Sequence, residues 1–203
     1  MDDNVGKVLA SLKENGLDEN TLVIFTNDNG GPEGMGTSNY PLSGHKGTLS
    51  EGGIRVPWAM SWPSVITPGS VIDSPISTLD ILPTIFDMAD EPIDPDWQLD
   101  GRSLLPLLKD PHAILPDRTL YWRRKGVEGP IALRHQDWKL LFSRDLENAR
   151  PQLFNLADDV GEINDVSNEH PEVVARLMTM LNAWESELVT PLWGPGSPGY
   201  ISQ

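Results

Sequence analysis

Cysteine is absent from the chain, which excludes disulfides, thiolate metal sites and a cysteine nucleophile while leaving the redox compartment open. No apolar run approaches the roughly 18 residues that mark a membrane-spanning helix. The opening segment MDDNVGKVLASL starts acidic and lacks the basic and apolar regions of a signal peptide, so none is expected and no location is assigned. Cations are scarce: 15 Lys and Arg face 30 Asp and Glu, for a formal charge of −15. A surface of that sign repels nucleic acid and anionic membranes, so neither is expected as a partner. It repels an anionic substrate too, and anion binding therefore needs a local positive cluster. Internal repeats are also missing.

What is present centres on residues 21–57, TLVIFTNDNGGPEGMGTSNYPLSGHKGTLSEGGIRVP. The run Leu22–Phe25 is too short for a typical helix and rich in β-branched and aromatic types, which predicts a strand buried on both faces. Asp28 and Asn29 stand at its carboxyl end, before Gly30 and Gly31, where open α/β sheets bind ligands. One carboxylate and one amide are hard oxygen donors suited to Ca²⁺ or Mg²⁺ rather than zinc or copper, but two are too few for a closed site. The same tripeptide also makes an ordinary polar turn. Lys46 is a compact charge able to hold a sulfate or phosphate oxygen; a solvated loop lysine is the simpler reading, and His45 has the same two readings. Glu51-Gly52-Gly53 followed by Arg55 predicts a tight turn with an internal ion pair, so Arg55 is structural. His112, His135 and His170 sit in unrelated contexts and make no metal pattern. Ser61 falls on a predicted strand, with Val65 where a base would be wanted, and is no nucleophile.

The rest of the chain supplies elements for this stretch. Val5, Val8, Leu9 and Leu12 form a helical stripe that Gly16 should end in a left-handed cap. A second short buried strand is expected at 57–62. A helix capped by Ser77 or Asp80 should turn Ile81, Ile85, Met88 and Ala89 inward, with Pro83 tolerated in its first turn. Residues 90–100 read as an acidic loop and 104–108 as one or two helical turns. From about residue 111, runs at 119–122, 131–134, 138–142 and 152–155 predict a small antiparallel sheet. A final helix begins at Pro171 and aligns Val174, Leu177, Leu181, Trp184 and Leu188. The seven Trp read as packing residues, and the tail TPLWGPGSPGYISQ as extended and mobile.

Taken together, these segments resemble the type I sulfatases of the alkaline phosphatase-like superfamily. TLVIFTNDNG resembles the family's strand with a calcium-binding Asp-Asn pair, and PLSGHKGTLSEGGIRVP a sulfatase signature whose lysine corresponds to Lys46. STLDILPTIFDMAD is similar to the helix that follows. ALRHQDWKLL, PQLFNLADDVGEINDVSNEHP and the last helix resemble the C-terminal subdomain. The resemblance implies an α/β fold: a partial alkaline phosphatase-like sheet with flanking helices over residues 1–110, then a small antiparallel sheet packed with a long helix over 111–203. It implies sulfuric ester hydrolysis with Ca²⁺, in which Asp28 and Asn29 supply two metal ligands, Lys46 clamps the sulfate or leaving-group oxygen, and His45 touches substrate.

In that family the nucleophile is a formylglycine made from Cys or Ser in a C/S-x-P-x-R motif, and the chain contains no such motif. It therefore reads as the C-terminal half of a sulfatase, a truncated form expected not to hydrolyse sulfate esters alone. Aryl and carbohydrate sulfates both stay open as substrates. Family members are often periplasmic or secreted. Two alternatives stand beside this reading: a non-catalytic module or pseudoenzyme, and a phosphatase or phosphodiesterase of the same superfamily. The latter usually carries a zinc-binding His where Asn29 stands. Apolar faces meant for a missing half should also make the chain self-associate.

Overall fold

The computed structural model describes residues 1–192; the expected tail lies, from Trp193 on, outside the described residues. The elements are α1 (Asp2–Glu14), β1 (Val23–Thr26), α2 (Glu51–Ile54), β2 (Trp58–Ser61), α3 (Ile81–Met88), α4 (Leu105–Lys109), β3 (Thr119–Arg123), β4 (Pro130–His135), β5 (Trp138–Ser143), β6 (Gln152–Asn155) and α5 (Pro171–Glu187). They fall into two compact units. One contains Met1–Phe25 and Trp58–Pro116; the other contains Thr26–Pro57 and the chain from Asp117 on. Among the described residues no helix is long and apolar enough to cross a membrane.

In the first unit α1 ends as its sequence requires. Gly16 takes φ +66°, its N–H donates to Lys13 O, and the Leu17 N–H donates to Leu12 O at 2.9 Å. These two bonds satisfy carbonyls that the helix end leaves open. The apolar stripe of α1 stays uncovered, with Val8 58% and Leu9 44% exposed. β1 pairs with β2 in a two-stranded sheet. The strand expected to be buried on both faces is instead half-buried, and Phe25 is 42% exposed. A two-stranded sheet has too few neighbours among the described residues to cover both faces. The core of this unit forms where Leu104, Leu107 and Leu108 meet Leu22, Met60, Ile66 and Ile76.

Asp80 organises the start of α3. Fully buried, it accepts the Ser77 N–H at 2.8 Å and the Arg102 N–H at 3.0 Å. The buried residues of α3 are Pro83 and Thr84, not the expected row of Ile81, Ile85, Met88 and Ala89. The hydrogen bonds turn it: the Thr84 hydroxyl donates to Asp80 O and accepts the Leu104 N–H, rotating Leu82 and Ile85 outward.

In the second unit four strands run antiparallel in the order β3-β4-β5-β6. Register aligns Tyr121, Leu133, Leu140 and Leu153 in one row across the sheet. α5 covers that row with Leu177 and Leu181, both fully buried, while Trp184 stacks on Tyr121 at 4.8 Å. Pro171 opens the helix as expected, and Leu188 falls just past its end. Strand side chains alternate between faces, so Lys139, next to Leu140, is aimed away from α5. Truncating Leu181 to Ala should lower the unfolding free energy by about 2–5 kcal/mol. A urea titration would check this, and a loss below 1 kcal/mol would mean that α5 is not cemented to the sheet as described.

Candidate functional site

The loop Thr26–Pro57 lies in the same unit as the sheet. Its fold is fixed largely by backbone. The Gly30 N–H donates to Gly53 O at 3.1 Å, and the Gly52 N–H donates to Ser43 O at 2.6 Å. A Cβ on Gly30 would sit 1.7 Å from Gly52 O, so no residue with a side chain fits there. Asn39 ties the middle together: its Oδ1 accepts the Gly31 N–H, and its Nδ2 donates to Gly31 O and Gly44 O. The Lys46 N–H then donates to the same Gly31 O at 3.1 Å. Residues far apart in the loop are thereby drawn together, with Lys46 hydrogen-bonded two residues beyond Asn29.

The predicted site residues differ in how free they are. Asp28 is exposed and accepts the Asn29 N–H at 3.0 Å in a local turn. The Asn29 side chain makes no hydrogen bond among the described residues. Lys46 is exposed and carries no ion pair among them. His45 is committed to the loop: Nδ1 faces Lys46 O at 2.9 Å and Nε2 faces the Glu33 carboxylate at 3.3 Å. The other histidines take local partners, His135 bonding Thr119 and His170 lying against Trp138. Asn29 Oδ1 and the second carboxylate oxygen of Asp28, whose Oδ1 takes the Asn29 N–H, are hard oxygens without a hydrogen bond among the described residues, the donor chemistry that Ca²⁺ takes. They fit as part of a site only, because the described residues hold no group of three His, Asp or Glu able to bind a metal.

Sequence reasoning missed what seats this loop. Lys139 is fully buried and reaches Glu51 Oε1 at 2.8 Å and Glu162 Oε1 at 2.7 Å. The second approach is a charge contact rather than an aligned hydrogen bond. Glu162 Oε2 accepts the Glu51 N–H at 2.7 Å, capping the first turn of α2, and the Ser43 hydroxyl donates to Gly161 O. Arg55 lies 3.7 Å and Arg134 4.0 Å from Glu51 Oε2, which bears out the structural reading of Arg55. The available signal was a lysine inside the apolar strand WKLL: a charge buried there must have a counter-charge.

Two predictions follow from this cluster. Lys139→Met leaves Glu51 and Glu162 without their buried cation and should cost about 3–5 kcal/mol; denaturant unfolding measures it, and a loss under 1 kcal/mol would remove the cluster's importance. Burial lifts the Glu162 carboxyl above its usual range, with Lys139 opposing. The folded chain then holds this proton more tightly than the unfolded chain does. Its contribution to stability is fullest below the unfolded value near 4.5 and falls as pH rises through the raised folded value. Glu162→Gln should flatten that fall in a series of urea midpoints, and an unchanged slope would refute the assignment.

Comparison with known proteins bears on this site. The family described as Sulfatase matches residues 1–91. A sulfatase of Formosa agariphila is 33% identical over 222 residues, covering 95% of this chain and 40% of its own. The steryl-sulfatase of Mus musculus is 45% identical over 117 residues, covering 54% of this chain and 19% of its own. The crystal structure of Ps i-CgsB in complex with k-i-k-neocarrahexaose superposes with a TM-score of 0.82 at 31% identity, over 95% of this chain and 42% of that one. The chain thus spans about two fifths of the length of the first and third of these proteins. Its structural neighbours share the alkaline phosphatase-like fold.

Proposed function

Because the chain belongs to the sulfatase family, we propose that it supplies the metal- and oxyanion-binding half of a calcium-dependent sulfate ester site. Asp28 and Asn29 would hold the cation through oxygen. Calcium, when bound, supplies positive charge against the sulfate oxygens. Lys46 donates to a sulfate oxygen or to the oxygen that leaves as the S–O bond breaks, where negative charge accumulates and a fixed ammonium lowers its energy. His45, held by Glu33 and Lys46 O, borders that position and orients the bound ester.

One observation carries the reading. The bond from the Lys46 N–H to Gly31 O joins the segment bearing the oxygen donors to the segment bearing the cation. The absence of a C/S-x-P-x-R motif favours a second reading beside it, in which this chain alone binds sulfate esters without cleaving them. A carbohydrate sulfate is the substrate class we take forward, because the complex with a neocarrahexaose aligns over 95% of the chain; an arylsulfatase of Mus musculus aligns over 98%, and aryl sulfates stay open beside it.

Amide-resolved NMR titration tests both parts. Calcium should shift the resonances of residues 28–31, and Asp28→Ala should abolish the response. Inorganic sulfate should shift residues 45–47, with affinity about fivefold weaker in Lys46→Ala. Silence at those amides would overturn the site. Turnover of an aryl sulfate by the pure chain, lost in Lys46→Ala, would overturn the non-hydrolytic reading while keeping the site.

A further inference from the structure

A second cation lies against the loop of Lys46. Arg124 follows the last residue of β3, and its N–H donates to Pro130 O at 3.0 Å, extending the β3–β4 ladder by one bond. That bond fixes where its side chain starts. The guanidinium lies against Gly47: a Cβ built there would stand 3.4 Å from Nη2 and 3.7 Å from Cζ of Arg124. Gly47 has φ +89°, a conformation that side chains rarely adopt. The guanidinium thus stands within van der Waals reach of Gly47, the residue that follows Lys46.

Acidic residues outnumber basic ones two to one, 30 against 15, so cations left without a carboxylate beside this loop bear on anion binding. The residues on either side of Arg124 have one: Arg123 lies 3.9 Å from Glu185 and Lys125 lies 3.1 Å from Asp145. Arg124 is exposed and has no ion pair among the described residues, and neither has Lys46. With the Arg124 guanidinium against Gly47, next in the chain to Lys46, these two cations supply the local positive charge that an anion requires on so acidic a surface.

We propose that Arg124 binds a second sulfate group on the substrate, so that the site selects carbohydrates sulfated at two positions. This rests on the assignment of Lys46 to the first sulfate. A guanidinium is planar and always charged, and it matches two oxygens of an oxyanion with parallel N–H donors, which suits it to a group that is recognised and not cleaved. The ammonium of Lys46, a point charge, suits the group whose charge changes. Arg124 is then a specificity-determining residue.

The test is calorimetric or NMR binding of the whole chain to galactose 6-sulfate and galactose 2,6-disulfate. The wild type should bind the disulfate about tenfold more tightly. Arg124→Ala should weaken the disulfate about tenfold and change the monosulfate less than twofold, while Lys125→Ala, which removes the same charge next door, should change neither by more than twofold. Lys46→Ala should weaken both sugars. No preference for the disulfate in the wild type, or an equal loss from Lys125→Ala, would overturn the inference while leaving the Lys46 assignment intact. Lys46→Ala without effect on either sugar would overturn that assignment, and with it the inference.

Discussion

A buried lysine between two glutamates holds the loop of this unit in place. Removing three charges from water is costly, and the cost is offset only where geometry and added hydrogen bonds are good. Here the additions are present. Glu162 accepts a backbone N–H from Glu51, and Arg55 and Arg134 approach the outer oxygen of Glu51. The cluster joins three places: α2 in the loop, β5 in the sheet, and the turn at Gly161-Glu162. Glu162 adopts φ +53°, a conformation uncommon for a residue with a side chain, which its fixed bonds must sustain. Glu51 belongs to the same loop as Lys46, so the cluster ties that loop to β5 and to the turn at Gly161-Glu162.

The sheet was legible in the sequence because its signals are local. Short runs separated by polar turns placed the strands at 119–122, 131–134, 138–142 and 152–155, and the structure extends three of them by one or two residues. Gly16 announced its helix end in the same way. The failures concern partners. Nothing local to Leu22–Phe25 says how many strands will flank it, so a buried strand was expected where a half-exposed one is found. The helical period of α3 named Ile81 and Ile85 for the inner face, yet the hydroxyl of Thr84, bonded at both ends, fixed the rotation. Lys139 and Glu51 stand 88 residues apart, and no pattern in either segment names the other.

The candidate site was legible to a similar limit. Asp28, Asn29 and Lys46 were chosen for their chemistry, and the structure shows the backbone that draws their segments together. The contribution of Asn39 was invisible beforehand, because an asparagine in a glycine-rich loop has many ordinary uses. Its side chain meets both polar groups of Gly31 and one of Gly44, doing for the loop what a neighbouring strand does for a sheet.

This arrangement divides labour between backbone and side chains in a way the composition explains. With so few cations, the chain spends most of those in this unit on structure: Lys139 inside, and Arg55, Arg134 and Arg144 against carboxylates. The Glu51 cluster seats the loop on the sheet, while around Lys46 itself glycine contacts and amide bonds shape the chain, packed so closely that Gly30 admits no Cβ. Lys46 contributes its N–H to that framework and keeps its ammonium free of any ion pair among the described residues. A site for an oxyanion on a surface of charge −15 requires this separation, because any cation used as a fastener has already met its anion.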